Sequence, residues 1–333
     1  MNLRDKVLGY LEEHKDSYVS GEQLAELFGV SRAAVWKAIK RLQEEGHEIT
    51  AVTGRGYRLS AGSDILSSAG IARYLRHGNA DQIIVHSAVD STNNVAKEMA
   101  LKGAAHGTVI AAERQTSGRG RLGRSFESPE GTGIYLTIIM RPRADIEKAL
   151  LITTAAAVGV CRAIRALTGQ QAEIKWVNDI YIDGKKVCGI LTEAITDFET
   201  GSLESVVTGI GVNFRTPEGG FSEEVRKRGI CCLFDSQEPT ITRNELAARI
   251  VDEVLEICEN LDDKSFLREY REWSAVIGKE VRLVRGTEEK QARVYCRLTM
   301  KRPAFCMFIH EYAEHAMPFP DFQNGYSGFR QQF

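Results

Sequence analysis

Several features that would restrict the function are missing from this sequence. The seven cysteines form no CxxC pair and no regular framework. This excludes a disulfide scaffold and fits a reducing compartment, where thiols behave as small hydrophobic side chains. No uninterrupted apolar run approaches the roughly 18 residues that span a bilayer, and the N-terminal stretch MNLRDKVLGYLEEHK carries charges throughout, without the core of a signal peptide. We therefore expect a cytoplasmic protein with no membrane partner.

An excess of charge of one sign is also missing. The 43 basic and 45 acidic residues leave a net charge of −2, so no overall field attracts nucleic acid, and any such binding requires a local basic patch. With 43% hydrophobic and 26% charged residues, the composition is that of a globular protein. A chain of 333 residues predicts two or three domains.

The pattern along the chain predicts an α+β protein of three domains. Residues 1–61 show short helical stripes followed by a small two-stranded ribbon, as in a winged helix-turn-helix. After the polar stretch SAGSD at 60–64, residues 65–275 alternate helical and strand-like runs. Several strand-like runs follow one another without a helix, which predicts a mixed sheet. Asp183-Gly184 is the predicted turn of a hairpin within it.

The sequence pattern of the third domain, 278–333, changes after Val294. GKEVRLVRGTEEKQARV at 278–294 predicts two strands of a small β-barrel, and we expect no alternating strand after Val294. Residues 295–333 hold six of the thirteen phenylalanines, two of the seven histidines and three of the seven prolines. A frameshift near Val294 would produce this change, and a lineage-specific C-terminus is the alternative.

A helix-turn-helix is predicted within residues 21–40. Gly29 permits the left-handed turn between two helices, and Ser31 can cap the second. The stretch 31–42 contains four basic residues and no acidic one, which indicates an element that reads DNA. The alternative is a protein-interaction domain with a solvated basic face, and Trp36 could either face DNA or be half-buried against the wing. The predicted DNA-binding residues are Ser31, Arg32, Ala33, Trp36, Lys37, Lys40 and Arg55.

The segment ERQTSGRGRLGRSFESPEGTGIYL at 113–136 contains the most informative loop. Its glycines formally spell GxGxxG, but a loop and a strand follow rather than a helix whose N-terminus could hold a pyrophosphate. The intervening residues are Arg119, Arg121 and Arg124. Glycines let backbone amides approach an anion, and guanidinium groups supply charge. The pattern predicts a loop that closes over a phosphate and a carboxylate, although a flexible surface loop with incidental arginines has the same composition.

Together with this loop, three further motifs occur in register: DSTNNVAKEM (90–99), KWVNDIYIDGKKVCGI (175–190) and GIGVNF (209–214). With the helix-turn-helix, they resemble the bifunctional biotin–protein ligases of bacteria that also repress the biotin operon. The resemblance runs from residue 1 to about 294. It implies a winged helix-turn-helix, a class II synthetase-like catalytic domain and an SH3-like barrel, which we expect to be incomplete here.

Site residues follow from the resemblance, position by position. It implies catalytic roles for Arg121, Lys186 and Asp179, and Asp179 is also the candidate ligand for Mg²⁺. The implied nucleotide-binding residues are Arg119, Arg121, Asn178 and Asn213. The implied biotin-binding residues are Ser91, Thr92, Asn93, Gln115, Arg119, Gly120, Arg121 and Lys186.

The resemblance also implies the activity. Biotin and ATP would form biotinyl-5'-AMP, the biotinyl group would pass to a lysine of biotin carboxyl carrier protein, and a homodimer would bind operator DNA with biotinyl-AMP as corepressor. Two alternatives remain open at this point. One is a biotin-sensing repressor with weak or no ligase activity, because of the altered C-terminus. The other is a relative of lipoate or octanoate transferases with the same fold and a different substrate.

Overall fold

The structure is a computed structural model. It describes residues 2–77, 79–142, 146–196, 203–235, 238–285, 288–298 and 305–311. In this part of the chain, an N-terminal helical unit with a two-stranded ribbon precedes a seven-stranded sheet with helices on its faces, and a three-stranded sheet follows.

The N-terminal unit is a winged helix-turn-helix, as predicted. Gly29 ends the second helix in the left-handed conformation with φ 63°, and buried side chains of all three helices and of the ribbon form one core. The ribbon strands pair antiparallel, Ile49 opposite Leu59. The elements are α1 (Leu3–Glu13), α2 (Gly21–Phe28), α3 (Arg32–Glu44), β1 (Ile49–Val52) and β2 (Gly56–Leu59).

The central domain is built on a mixed sheet, which confirms the prediction from consecutive strand-like runs. Its strands are β3 (Ile83–Val89), β4 (Val109–Gln115), β5 (Gly133–Met140), β6 (Glu173–Lys175), β7 (Asp179–Ile182), β8 (Lys185–Thr196) and β9 (Leu203–Asn213). The order across the sheet is β3-β4-β5-β9-β8-β7-β6. Only the β3–β4 pair is parallel among these seven described strands. Asp183 and Gly184 both have positive φ, 49° and 74°, which fits the tight hairpin turn predicted between β7 and β8.

Helices cover the two faces of this sheet. They are α4 (Ser68–Tyr74), α5 (Thr92–Leu101), α6 (Ile146–Thr168), α7 (Glu223–Lys227), α8 (Arg243–Glu259) and α9 (Phe266–Glu272). Buried side chains of α6, α8 and α9 pack on one face of the sheet as the main core, and α5 packs on the other face in a smaller cluster.

Helix α6 is apolar enough to resemble a membrane span. The 18-residue stretch Leu151–Thr168 passes that test by length and composition, but 67% of it is buried inside the protein. Arg162 interrupts the stretch and forms ion pairs with Glu253 and Glu269 of α8 and α9. Within the structure, α6 is a core helix of the central domain.

The C-terminal region contradicts one sequence prediction. The strand β10 (Glu280–Arg285) pairs with β11 (Glu288–Leu298), and β11 pairs with β12 (Phe305–Glu311), all antiparallel. We expected no alternating strand after Val294, yet β11 continues to Leu298 and β12 follows, with Val294 opposite Ile309, because backbone pairing needs no strict alternation of polar and apolar side chains. The described strands form a sheet rather than a closed barrel, and 312–333 lie outside the described residues.

Candidate active site and nucleic-acid interface

The recognition helix α3 presents its predicted contact residues on one side. Ser31 caps it by accepting from the backbone N–H of Ala34 at 3.2 Å. Val35, Ala38, Ile39 and Leu42 are buried, so the opposite side faces solvent, because side chains three and four positions apart share a helix face. Ser31, Arg32, Ala33, Trp36, Lys37 and Lys40 are all exposed there.

Trp36 lies on this exposed face rather than against the wing. Its relative exposure is 51%, and the Nζ of Lys40 lies 5.4 Å from its ring centroid. The indole and the amine of Lys40 are therefore at cation–π distance on the surface predicted to meet DNA.

The wing holds Arg55 at an exposed tip beside Tyr18, whose ring centroid is 4.1 Å from the guanidinium carbon. Gly56, next to Arg55 at the turn end of the wing, packs closely against the chain. It has φ 101°, and a Cβ there would lie 2.1 Å from the carbonyl oxygen of Val19. This approach brings the wing against the chain that enters α2, so Arg55 is placed by packing as well as by the hairpin.

At the other site, the start of α5 meets the end of β4. The backbone N–H and the hydroxyl of Thr92 both donate to Oε1 of Gln115, at 2.9 and 3.1 Å. The amide of Gln115 donates to the hydroxyl of Ser128 at 2.8 Å. Ser91 is buried and makes no side-chain capping bond. The predicted biotin residues Ser91, Thr92 and Gln115 are thus brought together, with Gln115 fixed from both sides.

Asn93 is the centre of a buried polar network. Its Oδ1 accepts from Thr137 at 2.7 Å, and its amide nitrogen donates to Glu193 at 2.8 Å. Gly209 makes room for it, since a Cβ at that position would lie 2.2 Å from Oδ1 of Asn93. Both the oxygen and the nitrogen of the Asn93 amide have protein partners. Asn93 therefore lies in the predicted biotin region and stabilises it through these hydrogen bonds.

Glu193 lies in this network beside Asn93, although no sequence motif pointed to it. Burial would raise the pKa of its carboxyl group, but hydrogen bonds from Lys97 and Asn93, with the charges of Lys97 and Arg119, outweigh burial and lower the pKa. Glu193 is thus kept ionised beside the basic loop. Its partners lie far away in sequence, and only the fold brings them together.

Lys186 and Asp179 form an ion pair across the β7–β8 hairpin. Nζ of Lys186 lies 2.7 Å from Oδ1 of Asp179, and the two side chains are 24% and 26% exposed. The backbone of Lys186 is held on its other side, donating to the carbonyl of Gly229 and accepting from the N–H of Cys231, both at 2.9 Å. The main chain of Lys186 is therefore held by hydrogen bonds, and its amine is oriented by the ion pair with Asp179.

Arg121 of the glycine-rich loop reaches the same hairpin. Its Nη1 donates to Oδ1 of Asn178 at 2.9 Å, while the amide of Asn178 donates to the carbonyl of Ile190 at 2.7 Å. Gly120 donates its N–H to the carbonyl of Arg124 at 2.7 Å, which closes the loop on itself. Arg119 is exposed in the loop. The loop and the hairpin, 57 residues apart at this contact, thus form one site.

Phe126 and two glycines were missed by the sequence reading. Gly189 and Gly211 are paired neighbours on β8 and β9. A Cβ on Gly211 would lie 2.6 Å from the ring of Phe126, and one on Gly189 would lie 3.2 Å from Nζ of Lys186. The absence of side chains at Gly189 and Gly211 therefore leaves room on the sheet for the Phe126 ring, next to Lys186.

Asn213 lies at the end of β9, 7% exposed, and its amide donates to the carbonyl of Cys231 at 3.3 Å. A cavity of about 470 Å³ opens beside the loop, between Gln115, Phe126 and the segment 217–220. Ser222, which caps α7, donates to Glu127 across the rim. The cavity adjoins the Lys186–Asp179 pair but is not lined by it.

Two family models match this chain. The biotin/lipoate A/B protein ligase family matches residues 85–213, and an HTH domain matches residues 4–58. The "Bifunctional ligase/repressor BirA" of Bacillus subtilis is 38% identical over 225 residues, which are 67% of this chain and 69% of that relative. The protein of the same name from Escherichia coli K12 is 31% identical over 275 residues, 81% of this chain and 82% of the relative.

A solved structure agrees with the fold. It is the biotin protein ligase from Aquifex aeolicus in complex with biotin and ATP, with a TM-score of 0.53 and 26% identity, covering 69% of this chain and 94% of that one. The mixed sheet with its basic loop, preceded by a winged helix, defines a DNA-binding ligase of two joined units. The chain belongs to the biotin/lipoate A/B protein ligase family, in the group of bifunctional ligase/repressors.

Proposed function

We propose that this chain activates biotin with ATP as biotinyl-5'-AMP and transfers the biotinyl group to a lysine of biotin carboxyl carrier protein. The observation that carries the proposal is the meeting of Arg121, Asn178, Asp179 and Lys186 at one end of the β7–β8 hairpin. The relatives named as biotin–[acetyl-CoA-carboxylase] ligases support this acceptor class. Lipoate as substrate is less well supported, because the named relatives are biotin ligases.

The chemistry explains why these groups are needed. The biotin carboxylate attacks the α-phosphorus of ATP, which brings two anions together, so fixed cations are required where charge accumulates. Lys186 and the arginines of the loop, Arg119 and Arg121, supply that charge. Because Lys186 is anchored through its backbone and paired with Asp179, its amine needs little reorganisation when the carboxylate and the phosphate arrive.

The second half-reaction needs a protected mixed anhydride and an unprotonated acceptor lysine. We assign Ser91, Thr92, Asn93, Gln115 and Gly120 to the biotin side and Asn213 to the nucleotide side. The loop that carries Arg121 excludes water from the anhydride. Asp179 accepts a hydrogen bond within this site and is the group that orients the incoming amine or takes up its proton.

Mg²⁺ is proposed to arrive with ATP. Within the residues that the structure describes, no group of three or more histidine, cysteine, aspartate or glutamate side chains could hold a metal ion. This fits the usual way in which Mg²⁺ binds, through substrate phosphates and one or two carboxylates. Asp179 is the carboxylate that would complete its coordination, and the ion would neutralise phosphate charge.

We infer the second activity from α3 and the wing. A cytoplasmic homodimer with two winged helices would bind two half-sites of an operator of biotin biosynthesis genes, with biotinyl-AMP as corepressor. The exposed row Ser31, Arg32, Ala33, Trp36, Lys37 and Lys40, with Arg55 on the wing, carries this inference. The comparisons do not favour a repressor with weak ligase activity, since the matched relatives are ligases and repressors in one chain.

Labelling of a purified biotin-carrier domain tests the ligase. With ATP and biotin, we expect a mass increase of the carrier equal to one biotinyl group, and none when the acceptor lysine is replaced by arginine. Lipoate in place of biotin is the control for the substrate class. Labelling with lipoate and not with biotin would contradict the proposal.

Footprinting tests the repressor. On the DNA upstream of the biotin biosynthesis genes, we expect two protected half-sites whose occupancy rises when biotin and ATP are added together. A single short footprint that ignores both ligands would show that the DNA-binding unit acts alone and not as a ligand-controlled dimer.

A further inference from the structure

The position of the buried Arg243 cannot be explained by a contribution to helix stability. It is the first residue of α8 and is 2% exposed. A cation at a helix N-terminus meets the positive end of the helix dipole, which disfavours it. Its guanidinium lies instead between two carboxylates, with Nε 3.1 Å from Asp64 and Nη1 2.7 Å from Glu113. Such a buried cation needs this pairing, because an uncompensated charge in a protein interior is costly.

Glu113 collects further donors from two other segments. Its Oε1 accepts from the backbone N–H of Leu66 at 2.6 Å, and its Oε2 accepts from the N–H of Gly131 at 3.2 Å. Arg243 binds both oxygens, with Nη2 at 3.0 Å from Oε1. One carboxylate thus joins β4 to the interdomain linker, to α8 and to the chain that follows the basic loop.

The biotin-side glutamine lies two residues beyond Glu113. The N–H of Gln115 donates to the carbonyl of Ser128 at 3.2 Å, and its side-chain amide donates to the Ser128 hydroxyl. Ser128 is three residues before Gly131. Glu113 therefore anchors both chain segments between which Gln115 is held, one by covalent connection and one through Gly131.

The linker from the DNA-binding unit enters the same cluster. Asp64 accepts at Oδ1 from the backbone N–H of Arg243 at 2.5 Å. The next residue of α8, Asn244, donates to the carbonyl of Ile65 at 2.8 Å and accepts from the N–H of Ser67 at 3.1 Å. One residue before Asp64, the carbonyl of Ser63 accepts from Lys15 of the winged-helix unit at 3.0 Å. The start of α8 thus holds the chain where it leaves that unit.

We propose that Glu113 and Arg243 are positioning residues for Gln115, and that Asp64 makes the linker part of the same ion cluster. A disturbance of the linker then weakens biotin binding, although the linker contacts neither substrate. For biotin as the ligand, this inference rests on the function proposed above. The groups act through Gln115 and touch no reacting atom, so they should affect affinity for biotin more than turnover.

Asp64→Asn and Glu113→Gln are the informative variants, because each keeps the shape and removes one charge. Removing Arg243 would leave two buried carboxylates together and could unfold the domain. Asp252→Asn is the matched control. Asp252 is a buried carboxylate on α8, which accepts from the backbone N–H groups of Arg76 and His77 at 2.9 and 3.1 Å.

The measurements are biotin affinity by calorimetry without ATP, turnover at saturating biotin, and amide hydrogen exchange. We expect Asp64→Asn to weaken biotin about fivefold and Glu113→Gln about tenfold, the effect of one charged hydrogen bond, with turnover within about twofold of the parent. Exchange should accelerate at Leu66, Gly131 and Gln115. The control should accelerate exchange at Arg76 and His77 and leave biotin affinity unchanged.

Two results would overturn the inference. One is unchanged biotin affinity in both variants while the Leu66 amide exchanges faster. The other is unchanged exchange at Gln115 in both variants. The second readout needs no ligand, so it decides the matter even if the parent chain binds no biotin, an outcome that would count against the proposed function and not against the cluster.

Discussion

On α3, Arg32 and Lys37 extend into solvent and form no ion pair within the part of the chain that the structure describes, whereas in the ligase domain Lys186 contacts Asp179 and Arg121 contacts Asn178. In the described part of the chain, no carboxylate holds the first pair of cations in place. The second is held by partners in place before any ligand arrives.

This difference reflects what each set must bind. Phosphates along DNA repeat, and affinity comes from the number of cations that replace counterions, so exposed side chains suffice. At a reacting phosphorus, charge develops at one point, and only cations fixed near it lower the barrier. Substitutions should therefore have large and position-specific effects in the ligase site and graded, salt-dependent effects on α3.

The largest effect is expected for Lys186→Ala. Loss of a fixed cation from a site of developing charge costs about 100- to 1000-fold in rate, so biotin-dependent exchange of pyrophosphate into ATP should fall by that factor. Lys185→Ala is the control, since Lys185 is its exposed neighbour in the hairpin and should keep the parent rate. Equal losses in both variants would mean that hairpin charge in general, and not the held lysine, matters.

The second-largest effect is expected for Arg121→Ala. Without the clamp donated to Asn178, the loop should release biotinyl-AMP about 10- to 100-fold faster, as for a lost charge-assisted hydrogen bond. Release is measured by trapping free biotinyl-AMP after a single turnover. Arg124→Ala removes an exposed arginine of the same loop and should release the intermediate as slowly as the parent. If Arg121→Ala also retains it, the loop is not closed by that side chain.

A smaller and different effect is expected for Lys37→Ala. It should weaken binding to any duplex DNA and reduce the slope of log affinity against log salt by about one, the contribution of one phosphate contact. Fluorescence anisotropy over a salt series measures this. The control is Lys6→Ala, since Lys6 is an exposed lysine of α1, and it should leave the slope unchanged. A similar drop for Lys6→Ala would mean that the whole unit, and not α3 in particular, contacts the DNA phosphates.

The smallest effect should come from Ser31→Ala, which removes the side-chain cap of α3 and no group of the ligase site. We expect the winged-helix unit to lose about 1 kcal/mol of unfolding free energy, visible as a lower thermal midpoint for that unit, with ligase turnover unchanged. Ser31→Asn, which can also cap, should recover most of the loss. No loss for Ser31→Ala would make the hydroxyl a DNA contact only.

Local signals made much of this architecture predictable. Gly29, the Ser31 cap and the Asp183-Gly184 turn each specify the backbone within a few residues, and each is confirmed. The four ligase motifs also predicted that Arg121 and Lys186 belong to one site, and the structure shows them in contact with the consecutive residues Asn178 and Asp179.

What sequence could not supply are contacts between distant segments. The carboxylates of Asp64 and Glu113 lie 179 and 130 residues from Arg243, and nothing in their neighbourhoods marks them. The Phe126 ring on Gly189 and Gly211 depends on the pairing of β8 with β9, which no local pattern contains. The strand after Val294, β12, was missed because it is defined by its pairing with β11 and not by a local alternation of polar and apolar residues.

The segment after β9 is tied down at both of its ends. Leu233 donates its N–H to Asn213, Phe234 to Phe214, and Cys231 to Lys186, at 2.9–3.0 Å. Between these stems, Ser222 is held by Glu127 and α7 follows it, so the loop without such contacts is only about 217–221. In polymer terms, lengthening such a loop adds little closure entropy, about 0.6 kcal/mol for a doubling. Insertions between 217 and 221 should thus be tolerated far better than a single residue added at 229–234, which would shift the backbone that holds Lys186.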